Sequence, residues 1–343
     1  MYLGRDIDLF VGNWHDYYRV ISRRYTMFSF GSDPEFMLVD EEGEIRSAID
    51  IVNGTRENPI QKNGASFCYD NVLAECRIQP AKNKAEVLRF TKKALKTFNE
   101  LVRPHRLLAK AAANYSQEQL RCKAAKIAAC ESVWCAYTMR EVELKNTLNL
   151  VRTGTLRTTG GHVHIGTNLG KDHIQSVMLV RMLDLFLGIP SLFIDHDPSS
   201  QKRRKLYGRA GRYRQPEHGI EYRSLSNFWL SSPSLVELVH QICGFVVKFV
   251  EKKQYEEFWY VDRKKLESDE FLNSGKDPCI CHVCHGYDVK KLRKAFDTGD
   301  KEIAKEFLDM AYLRFPDKIC EMIVEEQERD IPYDLYEEWD LPR

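Results

Sequence analysis

The stretch Thr158-Thr-Gly-Gly-His-Val-His-Ile-Gly166 decides how this chain is interpreted, because it places two histidines two residues apart in a short apolar segment. Side chains alternate across a β-strand, so His162 and His164 should share one face, and the valine and isoleucine beside them should face the packed side. The preceding glycine pair lets backbone or a ligand come close to the start of this strand. Taken alone, the histidine pair is also explained by a solvated strand face, so the other segments must decide.

Three more strand-like segments each offer a polar pair at the same spacing. The pairs are Asp33 and Glu35 in Phe28-Ser-Phe-Gly-Ser-Asp-Pro-Glu-Phe-Met-Leu-Val-Asp40, Glu75 and Arg77 in Asn71-Val-Leu-Ala-Glu-Cys-Arg-Ile-Gln-Pro80, and Glu221 and Arg223 in Gly219-Ile-Glu-Tyr-Arg-Ser-Leu225. A cross-strand salt bridge or a solvated strand end explains any one of them. Together, acidic oxygens and imidazole suit Mg²⁺ or Mn²⁺, and interleaved arginines suit phosphate oxygens. The four segments therefore predict a metal–nucleotide site on one strand face.

A basic stretch, Gln201-Lys-Arg-Arg-Lys-Leu-Tyr-Gly-Arg-Ala-Gly-Arg-Tyr-Arg214, leads into the segment of Glu221. A nucleic-acid patch and a solvated loop are two interpretations of it. We favour a third, a mobile loop whose Arg209 and Arg212 clamp the phosphates of a nucleotide. The formal net charge of +1 argues against a general nucleic-acid surface.

In this order, Asp-Pro-Glu-Phe, Glu-Cys-Arg, Gly-Gly-His-Val-His-Ile-Gly and Glu-Tyr-Arg resemble the motifs of carboxylate–amine ligases with a glutamine synthetase-like fold. The chain is similar in particular to the phage-associated amidoligase branch, often called COOH·NH2 ligase type 2, from Phe28 to Pro233. The resemblance implies an α+β fold with an antiparallel curved sheet and helices packed on its outer face. It also implies an N-terminal extension (1–27), a ligase domain (28–255) and a helical C-terminal extension (256–343).

The resemblance also implies roles for the residues of these motifs. The implied metal ligands are Asp33, Glu35, Glu75, His162 and Glu221. The implied nucleotide-binding residues are His164, Arg209, Arg212 and Arg223, and the implied catalytic residues are Glu35, Glu75, Arg212 and Arg223. The chain departs from glutamine synthetase in having Asp33 where that enzyme has a longer Glu, and Pro34 between the two acids.

The implied activity is ATP-dependent amide formation with Mg²⁺ or Mn²⁺. The γ-phosphoryl group of ATP would activate a carboxylate as an acyl phosphate, which an amine then attacks. An acidic residue must take a proton from the incoming ammonium, and Glu57 and Asp70 are both candidates. The expected substrates are a small-molecule or peptide carboxylate and an amine. A modified nucleotide remains an option, whereas nucleic acid is not expected.

Three alternatives stay open. The first is a phosphotransferase of the same fold that stops at phosphoryl transfer, as guanidino kinases do. The second is a metallohydrolase that needs no ATP and is built on His162, His164 and Asp195-His-Asp197. The third is a non-catalytic binding protein. The sequence contains no Gly-x-x-x-x-Gly-Lys-Ser/Thr and no Gly-x-Ser-x-Gly, which excludes a phosphate-loop site and a nucleophile-elbow site of those types.

Composition and cysteine usage are typical of a cytoplasmic enzyme. The chain has 343 residues, 43% of them hydrophobic, which is enough for a sizeable core. We expect no apolar run near the ~20 residues that cross a bilayer and no export signal, hence the cytoplasm of a bacterium or a phage-infected host cell. An oligomer is compatible with these data.

The segment Cys279-Ile-Cys-His-Val-Cys-His285 brings thiols and imidazoles close together in the sequence. Cys279, Cys281 and Cys284 could hold a structural Zn²⁺, with Cys320 or a local histidine as the fourth ligand. Free thiols in a cysteine-rich loop are the interpretation we favour. The other cysteines are predicted to be small core residues. They are Cys68, Cys76, Cys122, Cys130, Cys135 and Cys243.

Hydrophobic periodicity predicts the secondary structure. Strands and loops are expected over residues 28–80, with a hairpin turn at Glu41-Glu-Gly-Glu44. Helices are expected from Lys84 to about Tyr115, kinked or divided at Pro104, and over Gln117–Cys130, His173–Gly188 and Ser234–Glu251, with more in the tail from about Glu256. The helix of Ser234–Glu251 should open with a serine cap before Leu235.

Overall fold

The chain folds into a large antiparallel β-sheet with helices packed against it. The computed structural model describes residues 28–126, 133–142, 153–258, 287–329 and 331–343. The strands of the large sheet are β1 (Ser29–Ser32), β2 (Glu35–Val39), β3 (Ile45–Arg46), β4 (Ile60–Lys62), β5 (Ala65–Asp70), β6 (Leu73–Ala81), β7 (Arg106–Leu108), β9 (Val133–Cys135), β10 (Arg140–Val142), β12 (Val163–Gly166), β13 (Arg212–Arg214) and β14 (Gly219–Tyr222). Two more, β8 (Ala112–Asn114) and β11 (Leu156–Thr158), pair with each other. The predicted mixed fold with a large antiparallel sheet is confirmed.

The order of the strands brings the four sequence motifs together. Neighbouring strands follow the order β10-β9-β13-β14-β12-β1-β6-β2-β3, with β5 beside β6 and β7 beside β2. The histidine strand β12 therefore lies between β14 and β1, and the strand of Glu75 lies between β1 and β2. Motifs far apart in the sequence become neighbours because β12 returns to pair with the first strand.

Several helices follow the predicted amphipathic segments, whereas the helix over Ser200–Leu206 occupies the first half of the basic stretch that was expected to be a loop. The helices are α1 (Lys84–Val102), α2 (His173–Leu183), α3 (Ile189–Ile194), α4 (Ser200–Leu206), α5 (Pro233–Glu251), α6 (Val289–Thr298), α7 (Lys301–Tyr312), α8 (Asp317–Gln327) and α9 (Leu335–Glu338). The side chain of Asn83 caps α1 by accepting a hydrogen bond from the Glu86 N–H. Ser232 caps α5 in the same way at Leu235, so the serine cap lies two residues before the predicted start, and Ser234 is inside the helix. Helix α1 packs on β6 and α2 on β14.

Two helical segments are long and apolar enough, by length and composition alone, to cross a membrane. They are His173–Ile194, with mean hydropathy 1.9, and Pro233–Glu251, with mean hydropathy 1.4. The expectation that no apolar run reaches this length was therefore wrong. In the most apolar 18 residues of each segment, 94% of the first and 56% of the second are buried inside the fold. Buried core helices of folded domains have the same length and composition.

Several local predictions can be compared with these elements. The hairpin turn at Glu41–Glu44 is confirmed between β2 and β3, with Gly43 at a positive φ of 83°. The helix expected to reach Tyr115 ends at Val102 instead, and the chain then enters β7 and β8. Pro104 explains this end because it cannot continue the helical hydrogen bonding. The helix expected over Gln117–Cys130 is wrong within its described part, which contains one short 3-10 helix, Ala124–Lys126.

The C-terminal helices share the hydrophobic core of the sheet. Phe296, Phe307 and Trp339 belong to the same buried cluster as the residues of β1 and α2. The indole N–H of Trp339 donates to the carbonyl of Leu230 at 2.8 Å.

Cys122 is exposed, so its assignment to the core was wrong, whereas Cys68, Cys76, Cys135 and Cys243 are buried as predicted. The N-terminal extension, Cys130 and the segment Cys279–His285 lie outside the described residues.

Candidate functional site

Strand register places the motif residues on one face of the sheet. Glu35 lies opposite Glu75 in the β2–β6 pair, and His164 lies opposite Glu221 in the β12–β14 pair. Residues directly opposed in an antiparallel pair project from the same face, with Cβ atoms about 5 Å apart. Val163 and Ile165 are fully buried, whereas both histidines of this strand lie 3.2 Å from the same oxygen of Asp33. The predicted alternation of this strand is therefore confirmed.

The first group of side chains, which we call the histidine cluster, consists of Asp33, His164 and Glu221. One potential ligand atom from each lies within 4.8 Å of the others. Asp33 Oδ1 is 3.2 Å from His164 Nε2 and also 3.2 Å from His162 Nδ1. Gly160 makes room for the His162 ring, because a Cβ at that position would lie 2.3 Å from its Nε2. Asp33, the position at which the motif departs from glutamine synthetase, thus lies between both histidines.

The second group, which we call the carboxylate cluster, consists of Glu35, Asp70 and Glu75, also within 4.8 Å of one another. Asp70 ends β5, and a tight hairpin returns the chain to β6 and Glu75. Glu35 Oε2 accepts a hydrogen bond from the Gly160 N–H at 2.5 Å. Arg77 Nε donates to Glu75 Oε1 at 2.6 Å. Three carboxylates, one buried and two partly buried, therefore form a strongly acidic group, in which Arg77 bonds Glu75.

The carboxylate cluster holds its protons unusually tightly. Burial, followed by the charges of Asp70 and Glu75, raises the pKa of Glu35 to about 8. Burial raises the pKa of Glu75 to about 7, although Arg77 opposes this shift. Burial likewise raises the pKa of Asp70 against the charges of nearby arginines. The cluster therefore favours a proton or an added cation, since ionising all three acids places like charges together away from water.

The histidine cluster is instead balanced by cations of the protein. Burial would raise the pKa of Glu221, but the charges of Arg223, Arg214 and His164 together outweigh it and lower this pKa to about 2. The Arg223 guanidinium hydrogen-bonds to Glu221 Oε1, and Arg214 Nη1 lies 3.5 Å from the same oxygen. The pKa of Asp33 is held well below its usual value, because His164 and His162 outweigh burial. These carboxylates stay ionised and can accept hydrogen bonds or bind a cation.

The arginines of the basic stretch have different positions. Arg209 is exposed and donates to the Lys205 carbonyl at 3.2 Å. Arg212 begins β13, and its carbonyl accepts a hydrogen bond from the Arg223 N–H at 3.0 Å. Arg203 is buried in α4 and was not singled out from the sequence. Its guanidinium donates to the carbonyls of Thr159, Ser224 and Arg223, so it positions the backbone on both sides of the site. Phosphate binding by Arg209 and Arg212 stays a prediction.

A cavity of about 90 Å³ opens beside the two clusters. Its lining includes Glu35 and Asp70 of the carboxylate cluster, together with His162 and Arg223. Burial and the charge of Arg223 lower the pKa of His162 to about 4, so this ring is neutral near pH 7. The cavity therefore gives a small molecule access to the acids and to Arg223.

Other candidates from the sequence lie elsewhere. Glu57, one of the two candidate bases, is exposed, whereas Asp70 lines the cavity. The Asp195-His-Asp197 segment is engaged in other contacts. Asp195 accepts from the Ser226 hydroxyl at 2.9 Å, and Asp197 accepts from the Ala111 N–H at 2.5 Å. These bonds link loops around the site, which weakens the case for a hydrolase built on this segment.

Two members of the site were missed or only partly recognised. His218 is buried, and its Nε2 lies 3.3 Å from Nδ1 of His164. A histidine in a loop before a strand carries no sequence signal that would have revealed this contact. Asp70 was considered only as a base. Asp70 lies two residues after Cys68, which pairs with Glu75 across the hairpin. The alternation of side chains along a strand could therefore have placed Asp70 on the face of Glu75.

The site can be compared with known protein families. A family model described as Phage phiEco32-like COOH.NH2 ligase-type 2 matches residues 154–341, more than half of the chain. The match includes His164, Glu221 and Arg223, whereas the carboxylate cluster precedes it. No curated protein matches the chain.

Proposed function

The chain belongs to the family described as Phage phiEco32-like COOH.NH2 ligase-type 2, and from this premise we propose that it joins a carboxylate to an amine with ATP and Mg²⁺ or Mn²⁺. Family membership identifies a carboxylate–amine ligase. The proposal adds the dependence on ATP and an acyl-phosphate intermediate. It also includes a glutamine synthetase-like ligase domain over 28–255, flanked by the extensions 1–27 and 256–343.

The observation that carries the proposal is the pair of acidic clusters on one sheet face, with Arg223 acting on both. The charge of Arg223 lowers the pKa of Glu221 in one cluster and also acts on Asp70 and Glu35 in the other. Transfer of a phosphoryl group from ATP requires cations on both sides of the transferred group. Two cation sites around one arginine meet this requirement.

The donor atoms fit divalent cations. The carboxylate cluster offers three oxygens, which Mg²⁺ and Mn²⁺ prefer, and its raised pKa values support a role in which a cation replaces protons. The histidine cluster offers two carboxylates and one imidazole. His162, the histidine implied by the resemblance, lies against the same Asp33 oxygen and remains a second candidate ligand. Bound cations would supply positive charge to the phosphate oxygens of ATP.

The residues of the chain would act in two chemical steps. In the first, a carboxylate oxygen of the substrate attacks the γ-phosphorus, the bond to ADP breaks, and Arg223 holds the oxygens of the transferred group. In the second, the amine attacks the acyl carbon and inorganic phosphate leaves. Asp70 is the candidate to accept the proton of the amine, because it lines the cavity and Glu57 is exposed.

Transfer of ¹⁸O tests this proposal. The protein would be incubated with Mg-ATP, amines and ¹⁸O-labelled carboxylates, and ADP and phosphate would be analysed by mass spectrometry. We expect ADP formation that needs both substrates, with one ¹⁸O atom in each phosphate. A stable phosphorylated amine would instead identify a phosphotransferase, and turnover without ATP would identify a hydrolase. Glu35→Gln serves as the control for contaminating activity, because it removes a charge from the site.

A further inference from the structure

The cavity has a charged part and an apolar part. The charged part comprises Glu35, Asp70 and Arg223, the groups of the proposed reaction, together with Arg203, whose guanidinium is bonded to backbone carbonyls. The rest of the lining includes a set of apolar side chains, which we call the apolar lining. It consists of Leu73, Leu156, Leu206 and Tyr207. These residues come from β6, β11 and the end of α4, so three separate parts of the fold contribute to it.

Two further polar side chains of the lining, Arg157 and Asn71, are engaged inside the protein. Arg157 donates to the Asn71 side chain at 3.0 Å and to the backbone carbonyls of Gly154, Leu156 and Ala125. The Asn71 amide in turn donates to Ala125, and its side-chain oxygen also accepts from the Val72 N–H. These two side chains therefore hold the wall of the cavity in place. The Arg157 guanidinium is not directed at the ligand as a bidentate donor for a second charged group.

We propose that the apolar lining binds a compact aliphatic group of the carboxylate substrate, whose carboxylate lies at Arg223. The inference rests on the proposed function, which requires the reacting carboxylate to reach the transferred phosphoryl group. A polar substituent against the leucines would lose water without gaining partners, whereas an aliphatic one gains by leaving water. The cavity of about 90 Å³ has room for about six water-sized groups, which suits a branched chain of about four carbons.

Hydroxylamine gives an assay that does not require the natural amine. The carboxylate oxygen displaces ADP from ATP to form the acyl phosphate. The nitrogen of hydroxylamine then attacks the acyl carbon, releasing phosphate and a proton and leaving a hydroxamate. Iron(III) reveals the hydroxamate by its colour. The panel would contain acetate, isobutyrate, isovalerate, octanoate, glutarate and benzoate, each with Mg-ATP and hydroxylamine.

We expect isovalerate or isobutyrate to give the highest kcat/KM, about tenfold or more above acetate and glutarate, since one or two methylenes change such ratios by about 10–200-fold. Leu206→Ala and Leu156→Ala enlarge the cavity and should raise the octanoate-to-isovalerate ratio about tenfold. Leu313→Ala is the matched control, because this leucine is 82% exposed on another surface and should leave the ratio unchanged. Thermal melting confirms that each variant is folded.

The outcomes separate this inference from the function on which it rests. A shift of chain-length preference in both cavity variants supports the inference. Hydroxamate formation that favours glutarate, or a preference that neither variant moves, overturns it and leaves the ligase assignment standing. Absence of hydroxamate with every carboxylate of the panel, in protein that is folded and binds Mg-ATP, overturns this inference. Failure of the ¹⁸O transfer overturns the proposed function and this inference with it.

Discussion

The histidine cluster and the carboxylate cluster lie on the same sheet face but differ in electrostatic state. In the first, Arg223, Arg214 and His164 together lower the pKa of Glu221 to about 2 despite burial. In the second, burial and neighbouring acids raise the pKa of Glu35 to about 8. The protein therefore supplies the positive charge that balances the histidine cluster. The negative charge of the carboxylate cluster must instead be neutralised by protons or by an added cation. Changes to the two clusters should consequently have opposite effects on stability.

Replacing Glu221 should have the largest effect. Glu221→Gln leaves Arg223 and Arg214 without their shared ionised partner, and removing one partner of a buried pair typically costs about 3–5 kcal/mol. We expect ADP formation to fall about a thousandfold, a size typical of losing one electrostatic contact to the transition state. ADP release and urea unfolding measure the two effects. Turnover within tenfold of wild type would contradict the site assignment, and Glu217→Gln at an exposed neighbouring position is the control.

Replacing Glu35 should lower activity yet raise the stability of the cation-free protein. Glu35→Gln removes one of three crowded acids, and its amide oxygen can still accept from the Gly160 N–H. We expect ADP formation to fall about a hundredfold and the cation-free free energy of unfolding at pH 8 to rise by about 1–3 kcal/mol. Urea unfolding in EDTA measures the second effect. A loss of stability there would show that the two clusters do not differ in the way described.

The pH dependence of stability should report the protons that the folded site holds. The folded pKa values of Glu75 and Glu35, about 7 and about 8, lie above the ordinary value of 4.5. The folded state therefore binds more protons than the unfolded state, and the free energy of unfolding falls as pH rises from about 6.5 to about 8. His162, with a pKa of about 4, stays neutral in this window. Burial would lower the pKa of His164, but Asp33 outweighs burial and raises this pKa, so the histidine cluster contributes to the decline as well. Buried Asp184, with a pKa of about 7, contributes in the same direction.

Added cation identifies the part of this decline that comes from the proposed cation sites. Mg²⁺ or Mn²⁺ should flatten the decline between about pH 6.5 and 8 and release protons on binding, because the acids must ionise to bind it. Calorimetry in buffers of different ionisation enthalpy counts these protons. The contribution of Asp184 should be unchanged by the cation, since this residue hydrogen-bonds to Tyr222 in the core. Binding that releases no protons would contradict the raised pKa values.

Replacing His218 should have the smallest effect and should act on the histidine cluster alone. Its Nε2 lies 3.3 Å from Nδ1 of His164, so it orients the ring whose Nε2 faces Asp33. Loss of such a supporting contact typically weakens cation binding about 10–100-fold. Titration with Mn²⁺, followed by electron paramagnetic resonance, should show one weakened and one unchanged site in His218→Leu. Partial rescue in His218→Gln would support an orienting contact, and equal weakening of both sites would contradict it.

Some elements were predictable because their signals are local. The alternation of His162 and His164, the turn at Glu41–Glu44 and the apolar stripes of α1 and α5 each depend on neighbours along the chain. The end of α1 at Val102 and the short strands that follow were not predicted. Those strands depend on pairing with partners distant in the sequence, as when β7 adds to β2.

The sequence by itself determined which residue types share a strand face, and hence that acids, imidazoles and arginines would project together. Only the tertiary structure decided how they divide into two groups: Asp33 with His164 and Glu221, and Asp70 with Glu35 and Glu75. Alternation along a strand follows from backbone geometry within a few residues. Grouping depends on the order and register of strands that span residues 29–222, and these are set by the packing of the whole sheet.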